Sequence, residues 1–201
     1  MKIVVIGASG IIGTAVASAL AAGKHEVVRA SRHGAVKVDI DDPASIGALF
    51  AGVSNIDAVV SCAGNAVFKP FAELTDADYQ LGLRSKLMGQ VGLARAAAAA
   101  LNDGGSITLT TGTVAMEPMR GAAAISMVNA GLEGFVRSAA LELPRRLRLN
   151  AVSPPWVKET MVKLGMDPAP GLAAATVAKA YVAAVAGTQT GTIFDARKFG
   201  G

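Results

Sequence analysis

The stretch Gly7-Ala8-Ser9-Gly10-Ile11-Ile12-Gly13 decides how the chain is read. It follows Met1-Lys2-Ile3-Val4-Val5-Ile6, an apolar run rich in β-branched residues, and leads into an apolar pattern of helical period from Ile11 to Leu20. Strand, glycine turn and helix in that order bring backbone N–H groups close to a phosphate, and the helix N-terminus favours the negative charge. The spacing alone is a weak signal. The strand before it and the helix after it make this turn a dinucleotide site, against the plain alternative of a tight turn with no ligand.

Moving outward, apolar runs and helical stretches alternate to the end of the chain. Strands are predicted at Lys2–Ile6, Glu26–Ala30, Val36–Val38, Ile56–Ser61, Ser106–Thr111, Arg148–Ser153 and Thr192–Phe194. Helices are predicted near Gly10–Ala22, Pro43–Ala51, Asp76–Leu101, Gly121–Leu143 and Ala173–Ala186. Thr75 with Asp78 forms a helix start, and Asp103-Gly104-Gly105 reads as a stop before a strand. Buried strands alternating with helices imply an α/β fold of three layers, a doubly wound parallel sheet of about seven strands. With no repeat, linker or low-complexity tail, residues 1–201 are read as a single domain.

Composition narrows the classes. Hydrophobic residues are 52% of the 201 residues and charged ones 17%, which suits a full core. The net charge of +4 is scattered apart from Arg145-Arg146-Leu147-Arg148, and aromatics are only 4%. Nucleic-acid binding, which needs a clustered basic face or stacking aromatics, is therefore not expected. No apolar segment reaches the roughly 20 residues that span a bilayer, so no membrane partner is expected. Lys2, the apolar run and Ala17-Ser18-Ala19 loosely imitate a secretory signal, but cleavage there would delete the first strand and the glycine turn. Cys62 is the only cysteine, so no internal disulfide is possible and a reducing cytoplasm is the expected compartment. No metal is implied.

Past the second strand stands Ala30-Ser31-Arg32-His33, where an acidic residue usually bonds the adenosine ribose of NAD. A carboxylate repels a 2′-phosphate, whereas a guanidinium offers it a forked, charge-assisted pair of hydrogen bonds, so NADP(H) is the expected cofactor. His33 is either a further phosphate contact or a solvated loop residue. In Val38-Asp39-Ile40, Asp39 either sits near the adenine amino group or caps the next helix. Ser61-Cys62-Ala63-Gly64-Asn65 puts small residues where the backbone passes the cofactor, with Cys62 a small buried hydrophobe.

These residues, with the blocks downstream, make the chain resemble the short-chain dehydrogenase/reductase family over nearly its whole length. The resemblance rests on Gly7–Gly13, on Cys62-Ala63-Gly64 where the family has Asn-Ala-Gly, and on Ile107–Thr111. It continues through Ala139-Ala140-Leu141-Glu142-Leu143, Leu149-Asn150-Ala151-Val152-Ser153-Pro154 and Thr190-Gly191-Thr192. It implies a Rossmann-type fold and a nicotinamide cofactor held by Gly7, Ser9, Gly10, Ile11, Ile12, Ser31, Arg32, His33, Asp39, Ile40, Cys62, Ala63, Gly64, Lys86, Pro154 and Val157. It further implies a homodimer or homotetramer paired through the two long helices, and a small-molecule substrate.

The family's chemistry uses an Asn, a Ser, a Tyr and a Lys, and here the pattern departs. Counting from Ala130-Gly131-Leu132-Glu133-Gly134, Ile125 takes the Tyr position, Asn129 the Lys position and Gly112 the Ser position, flanked by Thr111 and Thr113. Lys86 takes the helical Asn position. Lys86, Thr111, Thr113 and Asn129 are thus the candidate catalytic residues, with Lys86 and Asn129 either hydrogen-bond neighbours that have exchanged places or a solvated lysine on an amphipathic helix and a helix-packing polar residue. Isoleucine cannot transfer a proton, and general acid–base catalysis contributes about 10²–10⁴-fold. Tyr79, Tyr181, Glu117 and Arg120 are poorer substitutes by position. Pro154-Pro155-Trp156-Val157 replaces the family's Pro-Gly, with Trp156 either covering the nicotinamide or packing in the core, and Pro168, Pro170 and Gly171 making the next connection a loop. Two functions stay open: an atypical NADP(H)-dependent oxidoreductase, or a catalytically silent NADP(H)-binding regulator or redox sensor.

Overall fold

The computed structural model describes residues 1–200. Seven strands form one sheet, β1 (Lys2–Ile6), β2 (Glu26–Ser31), β3 (Val36–Lys37), β4 (Ile56–Ser61), β5 (Leu101–Thr110), β6 (Arg148–Ser153) and β7 (Ile193–Asp195). Their spatial order is β3-β2-β1-β4-β5-β6-β7 and every pairing is parallel. The order reverses between β1 and β4, which opens a crevice at their carboxyl ends.

Strand side chains alternate between two cores, as the pleat requires. Ile3 and Val5 of β1 face α1 (Ile11–Ala22) and α7 (Ala174–Ala186), packing with Val16, Leu20, Val177 and Tyr181. Val4 and Ile6 face the other layer, where Ile46 and Leu49 of α2 (Pro43–Gly52), Leu93 of α4 (Gln90–Ala100) and Leu132 and Val136 of α5 (Ala123–Ala139) gather. Burial on both faces is why these strands read as continuous apolar runs. No helix among the described residues is long and apolar enough to cross a membrane.

Three elements differ from the sequence expectation. The helix predicted over Asp76–Leu101 is three segments: α3 (Asp76–Leu81), a π-helical stretch Gly82–Gly89, and α4. Glycines bound the wide turns where the backbone presses on its surroundings: a Cβ on Gly82 would meet Val128 at 3.3 Å, and one on Gly89 the Ile40 carbonyl at 3.0 Å. Asp103-Gly104-Gly105 does not stop a helix before β5. It lies inside that strand, at a register shift opposite Ile56 and Ala58, with Gly104 at φ +75°. The connection after Trp156 holds a short helix, α6 (Lys158–Lys163), before its Pro-rich loop. The Thr75 start forms as expected, with a reciprocal capping box to Asp78.

The glycine turn is the tightest point of the fold. A Cβ on Gly13 would fall on the Gly7 carbonyl oxygen and within 2.7 Å of its carbon. Gly7 has φ +76° and would itself press a Cβ to 2.9 Å from the Cys62 carbonyl. Because backbone surrounds both positions, no flexible side chain can yield. Gly13→Ala is expected to lower unfolding free energy by at least ~2 kcal/mol, read from the urea midpoint, as overpacking of a rigid site does.

Candidate functional site

The turn after β1 meets the ends of β2 and β4 in a cleft of about 250 Å³. Gly7, Ser9 and Gly10 line it from the turn, Ser31, Arg32 and His33 from the end of β2, Asp39 and Ile40 from beyond β3, and Cys62, Ala63 and Gly64 from beyond β4. Of the residues the sequence singled out, Ile11, Ile12, Lys86, Pro154 and Val157 stand outside its lining. Asn65, the last residue of the Ser61–Asn65 stretch, lines it too, as do Asp41 and Ser85, which were not anticipated. Asn65 and Ser85 have a legible link only in three dimensions, where the Asn65 N–H donates to Ser85 Oγ at 3.0 Å across twenty residues of chain.

The cleft is built for negative charge at its inner end. Helix α1 starts at Gly10 with no side-chain cap and no acidic residue in its first turn, so its leading N–H groups have no side-chain acceptor. The Gly7 and Ala8 amides are already held by the Ala30 carbonyl, at 2.9 and 3.2 Å, which locks the turn to β2. At the outer end Arg32 and His33 are exposed, and Arg32 takes part in none of the ion pairs among the described residues.

Acidic side chains here sort differently from expectation. Asp39 does not cap α2; its Oδ1 accepts from the Asp41 N–H at 3.1 Å, while Asp42 is the N-cap and accepts from Ala44 N–H at 2.9 Å. A Pro at the first helical position favours that cap one residue ahead of it. Asp41 leaves Oδ1 buried without a partner, so it is the acceptor with capacity to spare in the cleft. Burial pushes the Cys62 thiol up to about 12, which keeps it protonated and inert.

Beyond Gly64 lies a second cluster, positioned by the π-helical stretch. Lys86 is 8% exposed and packs along the backbone of Gly64, where a Cβ would meet its Cα and Cδ at 3.1 Å. No carboxylate among the described residues pairs with it, and burial pulls its amine down to about 8. Wide π turns leave carbonyls without ladder partners. The fully buried Gln90 supplies one: its Nε2 donates to the Lys86 carbonyl at 3.0 Å and to the Thr110 carbonyl at 2.9 Å, and its Oε1 accepts from Thr110 N–H at 2.9 Å. One amide thus fixes Lys86 and the end of β5 together. Gln90 was not read from the sequence, because a lone Gln on a helix carries no signal there.

The four candidate catalytic residues are not equivalent. Thr111 is buried with its hydroxyl turned inward, 3.3 Å from both Glu133 Oε1 and the Val152 carbonyl. Thr113 is half-buried; its N–H donates to the Pro154 carbonyl at 3.0 Å, and its hydroxyl has no protein partner among the described residues. Asn129 is 1% exposed, and neither atom of its amide finds a partner. The expected Lys86–Asn129 hydrogen bond is therefore absent, because the Asn129 amide projects toward Gly112: a Cβ on Gly112 would lie 2.9 Å from Asn129 Nδ2. The missing side chain at 112 and the amide at 129 share one space. Ile125, one turn before Asn129 on α5, brings no titratable group.

Two of the substitutes considered for proton transfer, Tyr181 and Glu117, are engaged elsewhere. Tyr181 is fully buried, its hydroxyl 2.6 Å from Thr110 Oγ1, and burial raises it well above an ordinary phenol. Both Glu117 carboxylate oxygens bond Arg197 at 2.7 Å. Trp156 packs edge-on against Phe68 with ring centres 5.2 Å apart. Val157 is buried and its carbonyl accepts from Met161 N–H at 3.0 Å.

Comparison with known proteins places this geometry. A family model described as Enoyl-(Acyl carrier protein) reductase matches residues 7–190. The structure of the protein lin1944 from Listeria innocua is 40% identical, superposes with a TM-score of 0.90, and the match covers 97% of this chain and 98% of that one. A small-chain dehydrogenase in complex with NADPH is 25% identical at a TM-score of 0.85, covering 100% and 99% of the two chains. The hydroxynaphthalene reductase-like protein Arp2 of Metarhizium brunneum is 34% identical over 137 residues, 65% of this chain and 51% of its own. The chain spans about half the length of the curated relatives it matches.

Two buried groups carry measurable costs. In the unfolded chain Lys86 titrates near 10.5, so between about 8 and that value the unfolded state binds more protons and stability rises with pH. Below about 8 the whole burial cost is present, about 3 kcal/mol. Lys86→Met is expected to be more stable than wild type at pH 7, with the gap closing by pH 10.5; urea midpoints across that range read it. Asn129→Leu removes two unpaired polar atoms worth ~1–3 kcal/mol each left unsatisfied. Its melting temperature is expected to rise while any turnover falls.

Proposed function

The chain belongs to the short-chain dehydrogenase/reductase family, and we propose that it is an atypical NADP(H)-dependent oxidoreductase acting on a small carbonyl or alcohol without the family's Tyr/Lys pair. The single observation that carries the cofactor preference is Arg32, an exposed guanidinium free of carboxylates at the outer end of a cleft whose inner end is the uncapped α1 N-terminus. That pairing suits a 2′-phosphate at one end and a diphosphate at the other. The NADPH carried by a relative of the same fold accords with it, and the reductases among the sequence relatives accord with the reaction class.

When bound, the nicotinamide would supply the hydride. The chain's own residues would then do three things. Gly7 and Gly13 let the turn close on the diphosphate, and the α1 amides hold it. Gly64 brings the backbone and the Lys86 stem together, which sets a cation of lowered pKa beside the cleft, beyond Gly64. Thr113, with the only uncommitted hydroxyl of the threonine pair, and Asn129, with an amide short of both a donor and an acceptor partner, would hold the substrate oxygen by hydrogen bonds. Lys86 near 8 exchanges a proton at working pH more readily than an ordinary lysine, and it stands in for the phenol that Ile125 replaces.

The second reading, a silent NADP(H)-binding regulator, draws on the same residues: Ile125 offers no proton, and Thr111 and Glu117 are engaged internally. Turnover separates the two. NADPH consumption against a panel of carbonyls is expected for the wild type, rising by up to ~10²-fold or more when Ile125→Tyr and Asn129→Lys are introduced together. Tight NADPH binding with no turnover in either protein would leave the regulator. For the cofactor, fluorescence titration is expected to give NADPH at least tenfold tighter than NADH. Arg32→Glu should erase that preference by weakening NADPH about 10–100-fold and sparing NADH.

A further inference from the structure

Three loops leave the carboxyl ends of β4, β5 and β6 and close on one another over the site. The Lys69 N–H of the first donates to the Gly121 carbonyl of the second at 2.8 Å. The Thr113 N–H of the second donates to the Pro154 carbonyl of the third at 3.0 Å. Between them stands an aromatic pair, Phe68 of the first loop and Trp156 of the third, edge to face at 77°. Gly121, at φ +81°, is the place where backbone passes beneath the Phe68 ring: a Cβ there would meet it at 3.1 Å. The middle loop is braced from outside, since Arg197 bonds both Glu117 oxygens at 2.7 Å and is itself held by Asp195.

These loops leave several large apolar side chains exposed. Phe71 is 75% exposed and Met116 74%, with Phe68, Met119, Leu164 and Met166 also open. Two of the charges on these loops are neutralised within the chain, Lys69 by Asp78 at 3.1 Å and Glu117 by Arg197, while the exposed Arg120 and Lys158 take part in no ion pair among the described residues. The braced apolar rim includes the loop that carries Gly112, against which the unpartnered Asn129 amide stands, and an exposed apolar patch beside such a polar group marks a ligand mouth.

We propose that this mouth takes the aromatic body of the substrate, with Phe68 and Trp156 as the residues that select an aryl-bearing carbonyl over a short aliphatic one. The inference rests on the oxidoreductase reading for the fate of the carbonyl, though not for the binding of the ring. An edge-to-face pair leaves an aromatic face open to a third ring at the same geometry. The methionines beside it, flexible and polarisable, fit rings of differing outline.

The test uses the full chain and its only tryptophan, Trp156, as the reporter. Emission is followed while 4-phenyl-2-butanone or 2-butanone is added, with and without saturating NADP⁺. These ketones share the reacting group and differ by the phenyl ring. Saturable binding of the first, at least tenfold tighter than the second, is expected. Phe68→Ala should weaken it at least tenfold, and Leu141→Ala, which removes an exposed apolar side chain far from the loops, should leave it unchanged. Phe68→Leu keeps apolar volume without the ring and covers the case in which the alanine variant does not fold. Equal response to both ketones, no saturation, or a loss matched by Leu141→Ala would overturn the proposal. NADPH titration in parallel keeps the two readings apart: normal cofactor binding without ketone discrimination removes only this one, and ring binding in a chain that ignores NADPH removes only the other.

Discussion

Strand β1 and helix α1 approach so closely that the space a side chain on Gly13 would need is filled by the carbonyl of Gly7. Everything at the cleft depends on that contact. It sets the helix N-terminus against the strand end, aims uncapped amides into the crevice, and presses Gly7 on the Cys62 carbonyl so that the β1 and β4 loops pass each other backbone to backbone. Local sequence, the reversal of strand order and the anion-favouring helix end agree at one point, which is the consistency expected where a fold and a site are specified together.

A second layer of constraint spreads from the π-helical stretch. The wide turns carry Lys86 to the Gly64 backbone, and Gln90 repairs the hydrogen bonding by bridging to both backbone groups of Thr110. The strand that leads into Thr111, Gly112 and Thr113 is therefore coupled to the helix that carries Lys86. Across from it, α5 gives up an amide at Asn129 that nothing satisfies, in the space left by Gly112. An unpaired buried amide at Asn129 and a buried lysine at Lys86 are both costly to a resting protein. Such costs persist where a ligand offsets them.

The strands and the core were legible because burial on both faces imposes unbroken apolar runs, and the glycine turn because positive φ and zero side-chain volume leave few other residues possible. Arg32 was legible from charge alone. The π-helical stretch was not: its apolar spacing matches an ordinary helix, and the close approach of Gly82 to Val128 and of Gly89 to Ile40 exists only once the chain is folded. Asp39 and Asp42 were confused because either could cap α2 by sequence, and the choice fell to the position of Pro43. The Lys86–Asn129 pair was inferred from two positions on facing helices, yet the Asn129 amide lies in the space left by the absence of a side chain at Gly112, seventeen residues away on a different element.

What the sequence determined by itself is the order of strands and helices, the glycine turn and the basic outer end, since each is encoded by residues adjacent in the chain. What only the tertiary structure decided is which polar groups are spent and which are free. Thr111 turns to Glu133 and Thr113 does not; Glu117 is taken by Arg197 from the far end of the chain; Phe68 meets Trp156 across two loops. Those outcomes rest on distances between residues far apart in sequence, and a hydrogen bond has no signature until both of its partners are in place.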